Sequence, residues 1–116
     1  MCSSDLLKDG KPFLITGSPG GSRIITAVLQ VITNVIDFHM PVAEAVSAPR
    51  LHQQWQPEDV LVEPGFDPAV LAGLQARGHK IVATRPFTSA NSIQATPNGY
   101  VGAADTRTRG ALAAGY

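Results

Sequence analysis

The sequence has few of the features on which several classes of function depend. Its 116 residues include one cysteine, and nine Lys and Arg residues balance nine Asp and Glu residues. A single cysteine can form no internal disulfide and no thiolate metal cage. A neutral chain lacks the clustered basic surface typical of proteins that bind nucleic acid or anionic membranes. No apolar run approaches the roughly 20 residues that span a bilayer. We therefore expect no nucleic-acid partner, no membrane segment in this chain and no cofactor.

The first six residues, Met-Cys-Ser-Ser-Asp-Leu, form a short polar segment. They lack the basic stretch and the following hydrophobic stretch of an export signal. The chain after them has the character of the middle of a domain. We expect residues 1–6 to be a non-native leader, translated from a sequencing-adapter remnant, and residues 7–116 to be the natural segment. The only cysteine, Cys2, lies in this leader.

Apolar periodicity and the positions of proline and glycine predict a mixture of helices and strands. The predicted strands are residues 13–16, 51–55, 60–63, 80–84, 92–96 and 100–104, and the predicted helices are residues 22–37, 42–47 and 67–77. The first helix is apolar over about two thirds of its circumference, which is typical of a helix covered on more than one side. This order predicts an α+β fold with packed layers of helices and sheet.

A loop with three glycines in five residues, 17–21, follows the first predicted strand. A phosphate-binding P-loop would need Lys and then Ser or Thr after Gly21, where the chain has Ser22 and Arg23. The spacing of dinucleotide-binding glycines is also absent. Thr16 occupies the first glycine position of a nucleophile elbow, which argues against Ser18 as a nucleophile. Two interpretations stay open: backbone N–H groups that stabilise an oxyanion at a helix N-terminus, or a tight turn.

Other candidate residues favour structural roles. His39, His52 and His79 are far apart in the sequence and share no metal-ligand spacing. Asp105 and Arg107 could hold a substrate, but a structural ion pair near a strand end is the simpler prediction. The sequence therefore predicts no metal site.

Several motifs, in order along the chain, closely resemble the C-terminal part of γ-glutamyltransferases, also called glutathione hydrolases. The most specific motif is Gly-Ser-Pro-Gly-Gly-Ser-Arg at residues 17–23. The supporting motifs are Lys-Asp-Gly-Lys at 8–11, Ala-Pro-Arg at 48–50, His52, Gln54-Trp55, Ala104-Asp105, Arg107 and Ala-Gly-Tyr at 114–116. The resemblance covers about residues 8–116.

The resemblance implies an N-terminal-nucleophile hydrolase fold, an αββα four-layer sandwich of which this chain holds only the C-terminal portion. A precursor of this family cleaves itself into large and small subunits, and residues 7–116 would be the C-terminal segment of the small subunit. A threonine at the new N-terminus would attack the γ-glutamyl amide of glutathione. The acyl-enzyme would then pass the glutamyl group to water, an amino acid or a peptide. By motif, Gly20 and Gly21 would supply the backbone donors of the oxyanion hole.

The chain departs from the family pattern at the nucleophile. That threonine belongs to a Thr-Thr-His motif upstream of the matched segment, and this chain has no Thr-Thr pair. Ser3 and Ser4 lie three positions too late to match the family's carboxylate-binding serines, and the residues that hold the substrate's amino group are absent. We therefore expect this chain to be inactive alone and to need the rest of the small subunit and the large subunit. The resemblance implies a periplasmic or extracellular location.

Two alternatives remain from the sequence. The first is a fragment of a related cephalosporin acylase, which shares the nucleophile and oxyanion chemistry but takes another acyl group. The second is a non-catalytic packing or interaction module, since the nucleophile is absent. The upstream sequence would distinguish a γ-glutamyltransferase from an acylase. Replacing a glycine of the loop at residues 17–21 would distinguish a catalytic segment from a non-catalytic module.

Overall fold

The computed structural model describes residues 2–115, apart from the side chain of Cys2. The described residues form two compact units. The first comprises the chain up to Ala48 and again from Thr88 onward, and the second is Pro49–Phe87. The elements in chain order are β1 (Cys2–Lys8), β2 (Lys11–Ser18), α1 (Arg23–Ile36), α2 (Val42–Ser47), β3 (Leu51–His52), β4 (Asp59–Val62), α3 (Pro68–Ala76), β5 (Lys80–Ala83), β6 (Asn91–Thr96) and β7 (Gly99–Ala103).

The first unit is built on a four-stranded antiparallel sheet in the order β1-β2-β6-β7. Asp9 and Gly10 both have positive φ, 52° and 76°, in the tight turn between β1 and β2. In the sheet centre, the buried Ser92 hydroxyl donates a hydrogen bond to Thr16 Oγ1 at 2.8 Å. This bond satisfies two hydroxyls that would otherwise be costly to bury.

Both helices of the first unit pack on this sheet, α1 against β2 and α2 against β6 and β7. The buried core residues are Leu14, Val31, Val35, Val42, Ala45, Val46, Ala90 and Ala103. Each fully buried Leu or Val side chain stabilises the fold by about 1.5–3 kcal/mol relative to an exposed one. On the opposite side of α1, Ile25 and Leu29 remain 73% and 55% exposed. The described residues thus cover one side of α1, whereas its sequence predicts that the helix is covered on more than one side.

The second unit holds a three-stranded sheet in the order β3-β4-β5. Strands β4 and β5 are parallel and are connected through α3, which forms a β-α-β crossover. Asp67 begins α3 by accepting a 2.8 Å hydrogen bond from the Ala69 N–H, and Pro68 occupies the first helical position. At the start of the parallel pair, a hydrogen bond to Asp59 raises the pKa of the exposed Lys80 ammonium.

Most predicted elements are present, with three differences. Strand β3 ends at His52 rather than at residue 55, because the side chains of Gln53 and Gln54 bond to nearby backbone and turn the chain. Strand β2 extends beyond residue 16 to Ser18, paired with β6 and β1. Residues 2–8, for which the pattern predicts no strand, form β1. The α+β class is confirmed, and no helix among residues 2–115 is long and apolar enough to cross a membrane.

Candidate active-site loop

The glycine-rich loop connects the end of β2 to the start of α1. Gly20 has φ +127° and Gly21 has φ +62°. The value at Gly21 lies in the left-handed region that other residues reach at a cost, whereas the value at Gly20 lies outside the regions open to residues with a Cβ. The chain can therefore make this connection only with glycine at position 20.

The loop carbonyls are engaged by the first turn of the helix. Arg23 N–H donates to Gly20 O at 3.4 Å, and Ile24 N–H donates to Gly21 O at 3.2 Å. In a planar trans peptide the N–H points opposite to the C=O. Because the Gly20 carbonyl points along α1, the Gly21 N–H points out of the helix N-terminus. Among residues 2–115, the structure shows no acceptor within the chain for the Gly20 or Gly21 N–H.

The electrostatic setting of the loop favours negative charge. The aligned peptide dipoles of α1 place about half a positive elementary charge at its N-terminus. In the described chain, the first turn of α1 carries no acidic side chain that would offset this charge, and it begins with Arg23. Outward N–H groups in a positive field can hold an anion or a developing oxyanion. The geometry therefore fits an oxyanion-binding loop, and it also fits a tight turn.

Two hydroxyl groups lie beneath the loop. Ser18 is fully buried, and its Oγ lies 2.9 Å from Thr88 Oγ1 and 2.9 Å from Pro19 O. Thr88 Oγ1 donates a hydrogen bond to the same Pro19 carbonyl. The burial of Ser18 agrees with the sequence argument against a nucleophile there. No sequence pattern marks Thr88, because its contact with Ser18 joins residues 70 positions apart.

Asp105 and Arg107 form an internal ion pair. Their side chains are 0% and 9% exposed, and Arg107 Nη1 lies 3.2 Å from Asp105 Oδ1. The guanidinium also donates to Val46 O at 3.0 Å and to Ala48 O at 2.8 Å, at the C-terminal end of α2. The structural interpretation of this pair is therefore confirmed.

Each of the three histidines has its own local surroundings. His39 and His79 are exposed, and His52 is buried with its Nε2 2.9 Å from Gln54 Oε1 and its ring edge-on to Phe87. Within the described residues, no group of three or more His, Cys, Asp or Glu side chains is placed to hold a metal ion.

Comparison with known proteins assigns the family. The family model described as gamma-glutamyltranspeptidase matches residues 1–115. The chain belongs to the gamma-glutamyltranspeptidase family. The glutathione hydrolase proenzyme of Escherichia coli (strain K12) is 49% identical over 117 residues, which cover 100% of this chain and 20% of that protein. The crystal structure of the T380A mutant of Helicobacter pylori gamma-glutamyltranspeptidase superposes with a TM-score of 0.85 at 46% identity, covering 93% of this chain and 61% of that one.

These matches confirm the N-terminal-nucleophile hydrolase fold and leave the acylase alternative with less support. Cephalosporin acylase from Bacillus halodurans superposes with a TM-score of 0.81 at 31% identity, over 90% of this chain and 20% of that one. The chain spans about a fifth of the length of the Escherichia coli proenzyme.

Proposed function

We propose that the complete protein containing this chain cleaves the γ-glutamyl amide of glutathione and transfers the glutamyl group to water, an amino acid or a peptide. Family membership supports this reaction, and the observation that carries it is the pair of Gly20 and Gly21 amides, for which the described residues offer no acceptor. Residues 7–116 are proposed as the C-terminal segment of the small subunit. The remainder of that subunit and the large subunit would supply the nucleophile and the γ-glutamyl site.

In the proposed reaction, the hydroxyl of an N-terminal threonine adds to the γ-carbonyl carbon, and the carbonyl electrons move to the oxygen. The α-amino group of the threonine accepts the hydroxyl proton and passes it to the leaving nitrogen as the C–N bond breaks. Water or an amine then repeats the addition on the acyl ester and releases the threonine. The Gly20 and Gly21 N–H groups would donate hydrogen bonds to both oxyanions, and one such donor is typically worth about 2.7–4 kcal/mol.

A chimeric proenzyme tests the proposed function. Residues 7–116 replace the matching C-terminal segment of the Escherichia coli glutathione hydrolase proenzyme, which supplies the upstream part. We expect the chimera to mature and to release p-nitroaniline from γ-glutamyl-p-nitroanilide, and this chain alone to release none. A soluble, processed chimera without activity would contradict the proposal. Release of p-nitroaniline by the isolated chain would contradict the expectation that this chain lacks the nucleophile.

The substitution Gly21→Leu in the same chimera tests the loop. At φ +62° the new Cβ meets no atom within 4 Å, so the side chain enters open space beside the loop. We expect kcat to fall by about 10²–10³, the cost of losing an oxyanion donor. Gly10→Leu is the matched control, because Gly10 has φ +76° and equally open surroundings in a distant hairpin. Equal losses of kcat and melting temperature in both variants would favour the non-catalytic module.

A further inference from the structure

Thr88 adopts a backbone conformation that a β-branched residue rarely takes. Its φ is +48°, in the left-handed region. Two positions later, the N–H of the fully buried Ala90 donates a 2.7 Å hydrogen bond to the buried Asp105 carboxylate. The segment is therefore anchored immediately after Thr88. Such conformations persist only where surrounding structure holds them, and they cluster at functional sites.

The hydroxyl of Thr88 connects Ser18 to the loop. Each hydroxyl has one hydrogen to donate. The buried Ser18 Oγ donates to Pro19 O at 2.9 Å, Thr88 Oγ1 donates to the same carbonyl, and the two hydroxyl oxygens lie 2.9 Å apart. Both hydroxyls therefore meet at the Pro19 carbonyl.

The Pro19 carbonyl and the Gly20 N–H belong to the same peptide plane and point in opposite directions. A bond that holds Pro19 O toward Thr88 therefore turns the Gly20 N–H away from Thr88. Glycine permits this approach, because a Cβ at position 20 would lie 2.6 Å from Thr88 Oγ1. We propose that Thr88 is a positioning residue that sets the direction of the Gly20 amide in the oxyanion hole, an inference that rests on the proposed function.

The two amides of the loop are thus held by different means. The helix holds the Gly21 N–H, through the bond from Arg23 N–H to Gly20 O. The Thr88 hydroxyl, together with the Ser18 hydroxyl, holds the Gly20 N–H through Pro19 O. Removing the Thr88 hydroxyl leaves Pro19 O with the bond from Ser18 Oγ and leaves the Gly21 peptide in place, so a partial loss of transition-state stabilisation is expected.

Thr88→Val and Thr88→Ser in the active chimera separate the hydroxyl from the backbone shape. Val keeps the volume and the branching, whereas Ser keeps the hydroxyl. We expect Thr88→Val to lower kcat about tenfold per processed small subunit, part of the 10²–10³ that a whole donor supplies, with KM within about twofold. Thr88→Ser should retain most of the activity. A γ-boronic acid analogue of the glutamyl group forms a tetrahedral adduct with threonine, and its affinity should fall in parallel with kcat.

Thr96→Val is the matched control, since its hydroxyl also donates to a backbone carbonyl, Gly99 O at 3.0 Å, in an exposed hairpin. We expect no change in kcat or boronate affinity there. If Thr88→Val keeps the parental kcat, or if Thr88→Ser loses as much kcat as Thr88→Val, the role of the hydroxyl is overturned while the proposed function stands. An inactive parental chimera would overturn both. If Thr88→Val fails to mature, Thr88→Ala gives the same comparison without the β-branch.

Discussion

Gly20→Ala is expected to abolish activity and to destabilise the loop. At φ +127° a Cβ is strained whatever the space, and here it would also lie 2.6 Å from Thr88 Oγ1 and 3.0 Å from Thr88 Cβ. Strain of this kind costs about 1–3 kcal/mol. To relieve the contact, the Pro19–Gly20 peptide or Thr88 must move, and either movement turns the Gly20 amide. We expect kcat in the chimera to fall by more than about 10³, beyond the usual cost of one oxyanion donor.

The measurement is kcat per processed small subunit together with the melting temperature at a fixed scan rate. Gly10→Ala makes the same chemical change at φ +76°, with no atom within 4 Å of the new Cβ. We expect Gly10→Ala to cost about 1–2 kcal/mol of stability, as for other residues in the left-handed region, and to leave kcat unchanged. Retention of more than a tenth of parental kcat by Gly20→Ala would show that the loop tolerates a Cβ and that the orientation proposed for the Gly20 amide is wrong.

The sequence predicts those parts of the structure that local chemistry decides. Helix α2 spans the predicted residues because Pro41 and Pro49 flank it, and the Asp9-Gly10 turn follows from two residues that tolerate positive φ. The glycines at 20 and 21 likewise mark the loop as a place where the backbone approaches something. These signals are contained in a few adjacent residues.

The remaining features depend on residues that are distant in sequence. Strand β1 has no clear apolar alternation and exists through its pairing with β2. Thr88 has an ordinary sequence context, and its positive φ becomes visible only beside Ser18 and Pro19. Strand β3 ends early because glutamine side chains compete for backbone groups, which periodicity cannot show.

Asp105→Asn is expected to cause the largest loss of stability among single isosteric changes in the first unit. Asp105 Oδ2 accepts from Ala90 N–H at 2.7 Å, and Oδ1 accepts from the N–H and the guanidinium of Arg107 at 2.9 and 3.2 Å. An asparagine has one acceptor oxygen, so its NH₂ would face a donor. The nearly buried Arg107 would also lose its counter-charge. Breaking a buried pair from one side costs about 3–5 kcal/mol.

Because Asp105 anchors Ala90, two residues after Thr88, this loss of stability should reach the loop as well. In the chimera we expect Asp105→Asn to lower the melting temperature and the yield of processed enzyme. The surviving enzyme should show reduced kcat with a smaller change in KM. Asp37→Asn is the control, since Asp37 is exposed at the end of α1. An unchanged melting temperature in Asp105→Asn would show that the pair contributes little, and an unchanged kcat in a destabilised variant would place the anchoring of Thr88 elsewhere.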